Sequence, residues 1–166
     1  MSRPNGLNSP AVRIHPLMHV PVPWIFVLVF LGGVVVQHFV PIRIHSTHAR
    51  HLIFALGTVI TVAGTLLAAC GLWIFLSAGT TTVPYKTASK LVTCGPYRFT
   101  RNPMYVGLIL VYLGLAGIQV QIWSVLLLPL VIAYLHRIVI PVEESRLRDA
   151  FGESYQQYCA RVRRWF

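Results

Sequence analysis

The sequence predicts an all-α integral membrane protein with about four transmembrane helices, a large cytoplasmic loop and a C-terminal helical tail. Three observations predict it. Hydrophobic residues make up 55% of the chain and charged residues only 11%, at a mean hydropathy of +0.66, which is too apolar for an ordinary soluble domain. The apolar residues gather into runs long enough to cross a bilayer. The basic residues flank those runs, and they do so far more on one side than on the other.

Residues 1–21 carry the helix breakers Pro4, Gly6, Pro10 and Pro16 and no apolar run, so they form a loose or surface-lying tail. They match a cleaved signal peptide poorly, because the apolar run that follows is too long and lacks a small-residue cleavage site. Val22 to Val40 is the first span, ended by Pro41. Residues 42–51 form a polar connection in which His45, His48 and His51 recur every third residue. A metal site is conceivable there. With no Cys, Asp or Glu among them, an interfacial loop touching lipid headgroups is the preferred reading, and no metal is expected.

Leu52 to Ser77 is the second span, with Gly57, Gly64 and Gly71 near one face for close helix packing. The run from Met104 to Ile140 dips in polarity only at Gln119-Val120-Gln121. Each half is about 18 residues, roughly 27 Å as a helix, so a hairpin of two further spans fits, with a possible kink at Pro129. From Pro141 the tail is amphipathic. Leu147, Phe151, Tyr155, Tyr158 and Val162 recur at three- and four-residue steps, and Gly152 breaks the helix in two.

Four spans place both termini and the 79–103 loop on one side. Arg3, Arg13, Lys86, Lys90, Arg98, Arg101 and the tail arginines from Arg146 to Arg164 lie there, against Arg43 and Arg50 on the other side. That asymmetry assigns the loop and both termini to the cytoplasm. It also accounts for the net charge of +10, built from 14 basic and 4 acidic residues. The partner it implies is the anionic face of a lipid bilayer and not nucleic acid, since the basic residues flank apolar runs instead of forming a soluble patch. Cys70, Cys94 and Cys159 have no metal or disulfide spacing.

The central loop is Thr93-Cys94-Gly95-Pro96-Tyr97-Arg98-Phe99-Thr100-Arg101-Asn102-Pro103-Met104-Tyr105-Val106-Gly107. Gly95-Pro96 requires a turn, and Asn102-Pro103 reads as a helix start with Asn as N-cap. Arg98 and Arg101 then stand at the positive end of a helix, where a small anion is favoured. All four acidic residues, Glu143, Glu144, Asp149 and Glu153, lie in the tail. Glu143 and Glu144 sit at the membrane boundary, where carboxylates are costly unless paired or functional; they either meet a ligand or offset nearby arginines. A zwitterionic amino acid joined to a nucleoside, such as S-adenosylmethionine (SAM), suits such a site, although these features alone do not single it out.

The motif Leu91-Val92-Thr93-x-Gly-Pro-Tyr-Arg-x-x-Arg-Asn-Pro-Met-Tyr-x-Gly is followed by Glu143-Glu144-x-x-Leu147-x-x-x-Phe151-Gly152-x-x-Tyr155-x-x-Tyr158-x-x-x-Val162. Together they resemble the isoprenylcysteine carboxyl methyltransferase family, a group similar to the phospholipid methyltransferases. The likeness covers roughly residues 78–164, and the lead from His15-Pro16 to Pro23-Trp24 resembles small bacterial members, which implies a bacterial inner membrane.

The resemblance implies a methyltransferase that uses SAM as its cofactor. It implies an N-terminal tail over 1–21, two transmembrane helices over 22–78, and a catalytic half over 79–166. Thr82 and the run Ser89-Lys90-Leu91-Val92 would lie along the cofactor, partly through backbone groups. Tyr97, Asn102, Pro103, Met104 and Tyr105 would complete the pocket, and Glu143 would take the ammonium group. Arg98, Arg101, Asn102, Tyr105 and Glu144 are the candidates for the catalytic face, the arginines for the cofactor carboxylate or local field and Glu144 in support of Glu143.

Three positions depart from the family's pattern. Asn102 stands where the family has His, which removes any role needing an imidazole. Val139 stands where prenylcysteine-acting members have a substrate-binding arginine, and Arg137 is the nearest substitute. The glycine-x-glycine motif of the phospholipid methyltransferases is missing near Thr93-Cys94-Gly95-Pro96. The implied chemistry is an in-line attack on the sulfonium methyl by a lipophilic amine, carboxylate or thiol, which needs alignment and dryness from the protein but no covalent nucleophile. Cys94 is accordingly read as packing. Two rivals are an NADPH-dependent sterol-type membrane reductase, whose Tyr-x-x-Tyr-Cys ending Tyr155 to Cys159 echo, and a non-catalytic membrane scaffold.

Overall fold

The computed structural model describes residues 21–78 and 90–165. It is helical, with no strand among the described residues. Helix α1 spans Val22–Phe39, α2 Thr47–Ser77, α3 Pro103–Ile118 and α4 Ile122–Tyr134. A π turn, Leu135–Val139, joins α4 without interruption to α5, Ile140–Arg161. Val22–Phe39, Thr47–Ser77 and the continuous Ile122–Arg161 are each long and apolar enough to cross a membrane. The remaining apolar helix, α3, is shorter, 16 residues or about 24 Å.

Helix α2 begins earlier than the sequence suggests. Ser46 accepts a hydrogen bond from the Ala49 amide (3.3 Å) and caps it, so His48 and His51 ride on its first turns instead of on a loop. At 31 residues it is about 46 Å long, more than the roughly 30 Å of hydrocarbon, so those polar turns project past the apolar layer. Among the described residues, no group of three or more His, Cys, Asp or Glu side chains is placed to hold a metal.

The α2–α3 pair is antiparallel and held by a seam of small residues. Gly57 faces Gly114 and Ile118, Gly64 faces Gly107 and Leu110, and Gly71 faces Pro103 and Met104. These glycines are the buried residues of α2, and the rest of its surface presents side chains such as Leu52, Phe54, Val59, Val62 and Leu66 outward, as a lipid-facing helix does. Helix α1 packs on α4 by the same device, because a Cβ at Gly33 would lie 2.6 Å from the Ser124 Cα. Ser124 donates to the Phe30 carbonyl (3.1 Å), and Trp123 donates to the Val40 carbonyl (2.7 Å). Tyr112 from α3 closes the group by donating to the Ser124 carbonyl (2.8 Å), its ring edge-on to Phe30 and Phe26.

The α3–α4 hairpin turns at Gln119–Gln121 as expected, with Val120 at φ 53°, an uncommon place for a β-branched residue. Pro129 is carried inside α4, and the helical irregularity comes later, at the π turn. Gly152, at φ 49° and ψ −123°, bends α5 where the sequence predicts a break. Beyond that bend Tyr155, Tyr158 and Val162 bury themselves with Leu91, Leu147 and Phe151 in a second cluster. The tail and the loop thus meet at the same end of the bundle.

Candidate functional site

The site forms where three separate stretches converge: the 3-10 turn Gly95–Arg98, the start of α3, and the membrane-boundary turn of α5. Gly95 opens the turn at φ 60°, and a Cβ there would strike the Ile74 side chain at the end of α2. The turn buries Tyr97, whose hydroxyl approaches the Gly71 carbonyl at 3.5 Å and whose own carbonyl accepts from the Tyr158 hydroxyl at 2.7 Å. Burial raises the Tyr97 phenol above its ordinary range, and Tyr158, Glu143 and Cys94 push it the same way, so the phenol stays protonated as a donor.

Helix α3 starts with Pro103, which has no amide hydrogen, and Asn102 holds the N-cap position without capping it. This corrects the expected cap. The Asn102 side chain is drawn away to the Arg164 carbonyl (2.9 Å), and the amide groups of Met104 and Tyr105 have no partner within the helix. A helix start of this kind favours an anionic group.

The paired glutamates point in different directions, as neighbours on a helix must. Glu143 is exposed and accepts the Tyr105 hydroxyl at 2.6 Å. Glu144 is buried and takes both arginines that reach it. Arg164 forks onto it through Nε (3.0 Å) and Nη2 (2.5 Å), and Arg101 Nη1 lies 3.3 Å away. The Glu144 bond raises the Arg164 guanidinium above its usual range and keeps it charged. Of the two readings open for the pair, Glu144 follows the arginine-offsetting one, while Glu143 remains open to a ligand.

The other sequence-derived candidates divide clearly. Tyr97, Met104, Tyr105 and Glu143 are brought to one corner, with Asn102 and Pro103 at its edge. Arg101 turns from it to Glu144 and the Cys159 sulfur. Arg98 and Lys90 are exposed, and the side chain of Leu91 packs into the tail cluster. Val139 is buried in the core of the bundle and Arg137 is exposed on the π turn. Thr82 and Ser89 lie outside the described residues. Sequence reasoning overlooked Thr100 and Arg164. Buried Thr100 accepts from the Asn102 amide (3.2 Å) and donates to the Arg164 carbonyl (3.1 Å). The signal was the scarcity of acids: four carboxylates among fourteen cations oblige any buried one to gather arginines.

Residues 52–154, from the second span to beyond the glutamate pair, match the family pattern of the phospholipid methyltransferases. The chain belongs to that family. As a phospholipid methyltransferase family member it is also similar to a probable protein-S-isoprenylcysteine O-methyltransferase of Oryza sativa subsp. japonica, at 32% identity over 80 residues, covering 48% of this chain and 42% of the rice protein. A protein-S-isoprenylcysteine O-methyltransferase of Schizosaccharomyces pombe is 39% identical over 72 residues, covering 43% of this chain and 30% of its own. The aligned stretches thus span less than half the length of these curated relatives. No solved structure matches the chain. Membership in this family and the apolar helices together make it a multi-pass membrane methyltransferase.

Proposed function

We propose that this family member transfers a methyl group from SAM to a lipophilic acceptor presented by the bilayer, at a site facing the cytoplasm. The observation that carries the reading is the Tyr105–Glu143 pair beside the uncapped start of α3. It offers one carboxylate, oriented by a phenol, and free helix amides nearby. A zwitterionic amino acid needs both.

Glu143 would hold the ammonium group of the donor, and the Met104 and Tyr105 amides, at the positive end of α3, would receive its carboxylate. Tyr97 and the backbone of the 90–92 stretch would flank the remainder. Once bound, SAM supplies a methyl group already activated by its sulfonium charge. The chain's task is therefore to align an acceptor and keep water out, and it needs no covalent nucleophile. Cys94, exposed at the edge of the turn, has no part in it. The site's place at the boundary of α5 lets an acceptor amine, carboxylate or thiol arrive from the lipid while the donor arrives from water. Val139 is buried, so a carboxylate acceptor would not find the arginine of the prenylcysteine pattern there.

The test is calorimetric titration of S-adenosylhomocysteine into detergent-purified protein beside a Glu143→Ala variant. Micromolar binding that the variant loses is expected. Absence of binding to the parent protein, with NADPH titrated in the same session, would refute the reading; NADPH binding would replace it with a reductase, and no binding of either with a scaffold.

A further inference from the structure

Helices α3 and α5 carry the two halves of the proposed site but pack little against each other directly. Apart from Tyr105–Glu143, what spans them is a strap at the end of the chain. After α5 the backbone turns extended at Val162 (φ −122°, ψ 128°) and runs back beneath the start of α3. The Arg163 carbonyl accepts the Arg101 amide (3.0 Å), and the Arg164 carbonyl accepts both Thr100 Oγ1 (3.1 Å) and Asn102 Nδ2 (2.9 Å). The Arg164 guanidinium meanwhile forks onto Glu144 of α5. Trp165 anchors the far end by donating to His136 Nδ1 on the π turn (3.2 Å) and packing on the bundle core.

We propose that Arg164 is a positioning residue of the methyl-donor site, tying the uncapped start of α3 to the helical turn that presents Glu143. Its backbone fixes residues 100–102 just ahead of the Met104 and Tyr105 amides. Its side chain fixes the rotation of α5 at Glu144, and hence at Glu143 next to it. The planar guanidinium matters because both oxygens of Glu144 are used; a lysine ammonium supplies charge without the fork. Arg164 lies outside the stretch that matches the family pattern, residues 52–154. The inference rests on the reading above of Glu143 as a ligand for the donor.

The experiment titrates S-adenosylhomocysteine into full-length, detergent-purified parent protein, Arg164→Ala, Arg164→Lys and Glu143→Ala, with thermal melting of each. Arg164→Ala is expected to keep a cooperative melt and to lose about tenfold in affinity, the worth of one charge-assisted contact. Millimolar ethylguanidinium should restore much of that loss and restore nothing in Glu143→Ala. If Arg164→Ala does not fold, Arg164→Lys decides: a loss of about threefold or more supports the role, and parental affinity overturns it. Parental affinity in Arg164→Ala, or a loss that ethylguanidinium leaves untouched in a folded variant, overturns it as well. In those cases binding by the parent and none by Glu143→Ala leave the donor site standing. A parent protein that binds no S-adenosylhomocysteine removes both claims together.

Discussion

The α2–α3 seam makes a sharp stability prediction, because two glycines of one helix face different neighbours. A Cβ at Gly64 would lie 2.7 Å from the Leu110 Cβ and 2.8 Å from both the Gly107 carbonyl oxygen and the Val111 amide nitrogen. Two of those atoms are backbone and the third is fixed to it, so no side-chain rotation relieves the contact. The helices must part by about 0.6 Å, and a gap of that order forfeits a quarter or more of each dispersion contact along the seam. Overpacking of this kind costs about 1–3 kcal/mol, against which the better helix propensity of alanine returns up to about 1 kcal/mol. The net for Gly64→Ala is a loss of about 1–2 kcal/mol. At Gly71 the nearest atom is the Met104 Cγ at 3.1 Å, part of a flexible side chain, with the backbone at 3.7 Å. Gly71→Ala should therefore be neutral or slightly stabilising. Melting of the two variants in one detergent at one scan rate reads the difference, at about 2–4 °C per kcal/mol for a chain of this size. A Gly64→Ala variant that melts with the parent, or a Gly71→Ala variant that falls as far as Gly64→Ala, would refute the packing argument.

Two further outcomes follow from the site and the hairpin. Tyr105→Phe removes the phenol that orients Glu143 and leaves the carboxylate, so affinity for S-adenosylhomocysteine should fall about three- to tenfold; an unchanged value would mean that Tyr105 does not orient it. Val120→Asn replaces a β-branched residue at positive φ with one that tolerates it and should raise stability by about 1 kcal/mol, whereas a lower melting temperature would show that Val120 contributes more by packing than it costs in strain.

Much of the bundle was legible because its signals are local. The run from Val22, the glycines seven residues apart, the polar dip at Gln119–Gln121 and the break at Gly152 all appear in the structure as read. The first turns of α2 were not legible, since polar His48, Arg50 and His51 look like a loop until the Ser46 cap is seen. The π turn has no sequence signature, because an extra residue per turn leaves composition unchanged. In the site, Glu143 and Tyr105 could be named from a motif but not paired. Their bond joins residues far apart in the chain, which no local periodicity encodes. Asn102 misled for the same reason: its residue type says cap, and a distant carbonyl outcompetes that role. Arg164 reads as one more surface charge until Glu144 is found buried beneath it.

The π turn gives the protein an adjustable phase. An α-helix advances about 100° per residue, so the single additional residue held within Leu135–Val139 sets the azimuth at which everything after it emerges relative to α4. Glu143 and Glu144 come just after that turn and are themselves about 100° apart. Shortening the turn by one residue would convert it to ordinary helix and carry Glu144 toward the bearing Glu143 now holds. The carboxylate now bound to arginines would then face the donor corner. The fold could thus exchange a structural anion for a ligand-binding one by changing chain length rather than side-chain chemistry, like a gear advanced by one tooth.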